Sequence, residues 1–430
     1  MRGELTRSVL HQLLPSHGVR ATLCGPPCNA TRLAHHLDRH GAAAACVGIK
    51  YPDPAVSAVC RARGALVVLD NVDSHLGFEN HRLADEGSGY RTLDAMLVQT
   101  RAHAEWLAAR HGLRSIVLPH PHGNLNAWSV SRGVRARVSG VGLLMGDPWR
   151  NQLPRDDAEA MTAVACGLNL TLMTMLSMPG RPVQYHPRFC PNASAAAWLL
   201  HGAWVRERRR GEAKPRWLQH HDTLSALAEL RETCERGDGG GRGGGVDSGG
   251  GGSGGGVDGG GWHRGVSSDF CASSQPPDGW PAAPPWSNSS LEDATHQHGY
   301  YRTPQLHEAV DLGLLWRPGN QVGSSFAVAN RPPTRMAWWW SHGVPTLGYP
   351  MAAYAEGAAR AGYPAQLLNV SRVVDLPAAL CALMPQRRRA CLREAALRGA
   401  AVTSPQYSAH ELVVSLCELA STCGVRFAGV

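Results

Sequence analysis

The chain has 430 residues, 43% of them hydrophobic and 18% charged, which is enough for two domains with full cores and excludes a disordered or fibrous protein. Its formal charge of +8 comes almost wholly from arginine, with lysine only at Lys50 and Lys214. The basic runs at 206–210 and 387–389 are short and read as solvated helix faces, so nucleic acid is not an expected partner.

From the amino terminus, strand and helix signals alternate. Apolar runs at 20–24, 44–50, 65–70, 95–99 and 115–119 are separated by helical stretches at 30–39, 54–63 and 101–111. That alternation predicts a parallel sheet covered on both faces, with ligands taken beyond the carboxyl ends of its strands. Polar residues gather just past those ends: Lys50-Tyr51, the run from Asp70 through Asp73 to His75, Thr100, and His120 to Asn124.

The pattern restarts with a strand at 140–145, a helix at 155–167 and a strand at 168–175. An irregular stretch with Trp198, Trp204 and Trp217 precedes a helix at 223–236. Residues 237–261 are nearly all glycine and, with flanks to about 299, read as a tether inserted in the second domain. Strand signals resume at 310–315. Helices follow at 351–361, 377–383, 386–400 and 409–420, with a strand at 366–370. The fold class predicted is α/β: two facing Rossmann-like domains, residues 1–135 and 136–430, with the ligand cleft between them.

Twelve cysteines are scattered through the chain. Cys24 and Cys28 alone approach metal-ligand spacing and no second pair completes a site, so no metal is expected. Cys46, Cys166 and Cys381 sit in apolar runs and read as buried free thiols. Glycosylation sequons occur at Asn29, Asn169, Asn192, Asn288 and Asn369. Because 169 and 369 fall in expected buried strands, the sequons read as chance. No signal peptide or ~20-residue apolar span is visible, which makes the cytoplasm the default and a secretory site the alternative for an amino-terminally shortened chain.

The most informative stretch is 330–349. Asn330-Arg331-Pro332-Pro333-Thr334-Arg335 leads into a helix, Gly343 supplies a positive-φ stop, and a short strand follows at 344–347. A helix start flanked by Arg331 and Arg335, with free N–H groups at Thr334 and Arg335, is suited to a pyrophosphate, and Arg317 adds a third cation. The indoles of Trp338, Trp339 and Trp340 stand about 100° apart on a helix, so one is expected in the core and another in the cleft.

This segment resembles the nucleotide-sugar-binding helix of GT-B-fold glycosyltransferases, where a basic–proline loop enters a helix ending Gly-x-Pro. The resemblance implies metal-independent transfer of a sugar from a nucleotide-sugar donor to a hydroxyl acceptor on a glycan, protein or small molecule, without a cofactor. It implies donor contacts by Asn330, Arg331, Thr334, Arg335, Gly343 and Arg317. Two glutamates usual in such enzymes are replaced here by Asn330 and Trp338; Glu356, on the next helix, is placed to compensate. Histidines titrate near neutrality, so His120 and His122, or His75 oriented by Asp73, are the candidates for the general base. The rival readings are a catalytically silent relative that binds a glycan or nucleotide, and a sugar-nucleotide epimerase.

Overall fold

The computed structural model describes residues 14, 19–22, 24, 28–41, 43–49, 52–70, 89–119, 133–145, 155–176, 190–236, 310–316 and 333–422. Its first sheet takes β1 (Ala45–Ile49), β2 (Leu66–Asp70), β3 (Ala95–Val98) and β4 (Ser115–Val117) in sequential order, all parallel. The helix α1 (Ala30–His40) precedes β1, and α2 (Pro54–Ala62) and α3 (Arg101–His111) lie between the strands. Each starts where the side chain of Asn29, Asp53 or Thr100 accepts a free first-turn N–H, a cap that contributes about 1 kcal/mol.

Side-chain alternation along β2 decides what covers each face. Val67 and Leu69 pack with Leu33 and Leu37 of α1 and Leu107 of α3. Leu66 and Val68 point the other way, onto Ala409, Leu412 and Leu419. Those belong to the final helix, α12 (Pro405–Thr422), so the end of the chain returns to complete the first core.

The second sheet contains β5 (Gly140–Met145), β6 (Thr171–Leu176), β7 (Leu312–Leu315) and β8 (Thr346–Gly348), again parallel, in the order β6-β5-β7-β8. Around it lie α4 (Arg155–Gly167), α5 (Ala193–Glu207), α6 (Arg216–Gln219), α7 (Thr223–Arg236), α8 (Thr334–Ser341), α9 (Ala352–Ala361), α10 (Leu376–Cys381) and α11 (Gln386–Ala401). Both sheets are Rossmann-like in character, and among the described residues no helix is long and apolar enough to cross a membrane.

Glycine makes the seat for α8. Gly142 and Gly313 are register partners on β5 and β7, and together they form a shelf under the Trp339 indole. A Cβ at Gly313 would stand 2.7 Å from that ring. Trp340 fills the space left by Gly399 of α11, and its indole N–H donates to Thr346 Oγ1 at 3.0 Å. Trp338, Trp339 and Trp340 are 3%, 0% and 0% exposed. The expectation that one indole lines a cleft is therefore overturned: the helix lies between the sheet and α11, which leaves the three indoles no open side.

Other expectations are corrected too. Residues 20–22 and 24 form no strand; Cys24 is tied to Cys28 and the Arg20 guanidinium bonds the His40 carbonyl. Residues 365–368 form a 3-10 turn rather than a strand: only Val370 reaches the sheet, donating to the Gly348 carbonyl at 2.8 Å. The stretch read as irregular holds α5, started by an Asn192 cap on the Ala195 N–H. Arg389 is no solvated side chain; it is 1% exposed and donates to the carbonyls of Leu383, Met384, Arg135 and Ala136. The three cysteines expected as buried free thiols are disulfide-bonded, and of them only Cys381 is buried: Cys46 pairs with Cys60, Cys166 with Cys190, and Cys381 with Cys234. The glycine-rich stretch at 237–299 lies outside the described residues.

Candidate functional site

In the second sheet the chain runs outward from β5 to β6, then returns to place β7 on the other side of β5. The order reverses between β5 and β7, and in open parallel sheets the ligand crevice lies beyond the carboxyl ends at such a point. The next described helix after β7 is α8, which starts at the carboxyl side of the sheet, so its first residues, Thr334 and Arg335, stand at that crevice. Pro333 occupies the cap position and has no N–H, so the first free donors belong to Thr334 and Arg335.

Arg335 is anchored by one hydrogen bond from Nη1 to the carbonyl of Trp316, at 3.3 Å, just past the end of β7. Desolvation holds its pKa below the ordinary guanidinium value, with the Tyr354 phenol acting weakly in the opposite sense. A guanidinium stays charged at neutral pH even so. Among the described residues no carboxylate pairs with Arg335. A desolvated cation beside a helix amino terminus, with one neutral acceptor, is a site electrostatically prepared for an anion.

Glu356 approaches from α9, which begins at the carboxyl end of β8. Its carboxylate accepts from the backbone N–H of Arg101 at 2.9 Å and of Ala102 at 3.2 Å. Those are the first two residues of α3, which begins at the carboxyl end of β3 in the other sheet. The acid thus takes the place an anionic ligand would hold at the α3 terminus. It also sets the carboxyl ends of the two sheets toward each other.

Gln99, between β3 and the Thr100 cap, was passed over in the sequence. It is 5% exposed, and among the described residues neither its amide oxygen nor its nitrogen has a hydrogen-bond partner. Buried amides are nearly always paired, so this one marks the β3 end as unfinished. The signal was present in the sequence as a polar residue directly after the apolar run Ala95–Val98.

Gly343 has a φ of 65° and ends α8 as expected, but it precedes β8 and lies at the amino ends of the strands, away from Arg335. A hollow at that end is lined by Arg135, Asp311, His342, Gly343, Arg389 and Arg393. Its polar groups already serve the fold: Arg135 pairs with Asp311 at 2.5 Å, and Asp311 accepts from the Ser139 and Gly140 N–H groups. His120, His122, Asp73, His75, Asn330, Arg331 and Arg317 lie outside the described residues.

The fold and crevice define a protein of two parallel four-stranded α/β sheets with facing carboxyl ends. No protein-family model matches the chain, and no curated protein sequence matches it.

Proposed function

We propose that the chain binds a nucleotide-sugar at the β5–β7 crevice and transfers the sugar to a hydroxyl acceptor. The observation that carries this reading is Arg335 at a helix start, a partly buried guanidinium whose pKa desolvation lowers and which has no carboxylate partner among the described residues. A leaving pyrophosphate needs cations and backbone N–H groups preorganised in a water-poor site, and here α8 supplies both. Arg331 and Arg317 complete the cationic lining in this proposal. The base is His120 or His122, or His75 with Asp73, reached from the first sheet's side.

Replacing Arg331 or Arg335 with alanine is expected to weaken nucleoside-diphosphate binding at least about tenfold each, near 1.4 kcal/mol. His120→Ala or His122→Ala is expected to leave that binding intact and remove turnover. Unchanged affinity in both arginine variants would refute the pyrophosphate assignment.

A second reading has its own support. Trp338 stands where the resembled enzymes carry a glutamate, and it is 3% exposed, committed to the core. Binding of a nucleotide-sugar without turnover against any hydroxyl acceptor is the outcome that a silent relative predicts.

A further inference from the structure

Four of the five sequons take on a different weight once their surroundings are known; the fifth, at Asn288, lies outside the described residues. Asn29, Asn169, Asn192 and Asn369 are all exposed, including the two expected in buried strands. Each stands at the end of an element, where a bulky substituent meets solvent rather than a neighbour. Asn29 and Asn192 cap α1 and α5 through Oδ1, accepting from Arg32 and Ala195 at 2.9 Å. That bond leaves Nδ2, the atom a glycan is built on, turned to a separate role. Asn169 takes a left-handed turn, φ 47°, between α4 and β6, and Asn369 follows the 3-10 turn at 365–368.

Frequency points the same way. The chain has twelve asparagines, and five are in sequons, none with proline at the middle position. Serine and threonine make up 45 of the 430 residues, so random placement would leave about one of twelve so placed.

The cysteines supply an independent observation. Disulfides join Cys24 to Cys28, Cys46 to Cys60, Cys166 to Cys190 and Cys234 to Cys381, with Cα separations between 5.4 and 6.4 Å. Cys391 is disulfide-bonded as well. Two of these pairs join separate elements: Cys46 from β1 and Cys60 from α2, Cys234 from α7 and Cys381 from α10. Thiols held in the cytosol stay reduced, whereas a framework of this density belongs to an oxidising lumen or the cell exterior.

We infer that the chain folds in an oxidising secretory compartment and carries N-linked glycans at Asn29, Asn169, Asn192 and Asn369. The inference stands on exposure, sequon frequency and cysteine pairing, and it does not depend on the nucleotide-sugar reading.

The test uses the full chain purified from its own cells after free thiols are blocked with maleimide. A peptide-N-glycosidase that tolerates core fucose is then applied in heavy-oxygen water, and peptides are mapped by mass spectrometry. Isotope-tagged aspartate is expected at the four positions, with no maleimide on the eight paired cysteines. Thr31→Ala, Thr171→Ala, Ser194→Ala and Ser371→Ala should each abolish one tag and leave the other three. Fewer than three tagged sites, or maleimide on those cysteines, overturns the inference.

Discussion

The Glu356 carboxylate on α9 accepts the backbone N–H of Arg101, the first residue of α3, at 2.9 Å, although 255 residues separate them. One side chain from the second sheet thus caps a helix of the first, and it does so where the strands of both sheets end. Replacing Glu356 with alanine removes an acid from a helix amino terminus, at a cost of about 1 kcal/mol. Glu356→Gln retains an acceptor and is expected to lose less than half of that. Denaturant unfolding of both variants checks the order; equal stability in all three proteins would show that the bridge contributes nothing.

The shelf beneath Trp339 is a second point of sensitivity. Gly313→Ala brings a methyl group to within 2.7 Å of the indole and is expected to cost about 1–3 kcal/mol or more. Trp339→Leu alone is costly because it empties part of a fully buried site. The double variant should be more stable than the sum of the two losses by more than about 0.5 kcal/mol. Strict additivity, measured by the same unfolding series, would mean that glycine and indole do not share the space.

Acid stability carries a signature from α3. Burial pushes the His103 imidazole down to about 4, against 6.5 when it is free. The unfolded chain therefore binds a proton between those values that the folded chain does not. His103 costs nothing above pH 6.5; stability falls as pH drops through 6.5 toward 4, by about 3 kcal/mol in all. His103→Leu should flatten the stability profile across that window while leaving pH 7 to 8 nearly unchanged. A profile with the same slope in both proteins would contradict the assignment.

Gln99 separates stability from function. Leucine has nearly the same size and no polar atoms to leave unpaired, so Gln99→Leu is expected to stabilise the ligand-free protein by about 1 kcal/mol. If the amide serves the cleft, the same change shrinks the thermal stabilisation that a nucleotide-sugar gives. A variant that is destabilised in the absence of ligand would show that the amide already has a structural partner.

Much of this arrangement was legible in the residue order. The buried strands at β2 and β3, the Thr100 cap and the Gly343 turn follow from apolar runs and local chemistry, which act over a few residues. The misreadings share a cause: they depend on partners far away in sequence. Leu367, Leu368 and Val370 look like a strand, but only the β8 edge decides that one N–H among them pairs with the sheet. Cys381 reads as an apolar thiol until α7 places Cys234 beside it, 147 residues away. The three indoles read as amphipathic because nothing local reveals that Gly399 and the Gly142–Gly313 pair make room for them on opposite sides of one helix. The desolvation of Arg335 was equally invisible, although its position at a helix start was not.

The most direct measurement is calorimetric titration of the folded protein with UDP, GDP, CDP and ADP, repeated with Arg335→Ala. Selective binding of one nucleoside diphosphate, lost in the variant, is the predicted result. No heat of binding from any of the four, in protein that unfolds cooperatively, would contradict a nucleotide-sugar crevice at the end of β7.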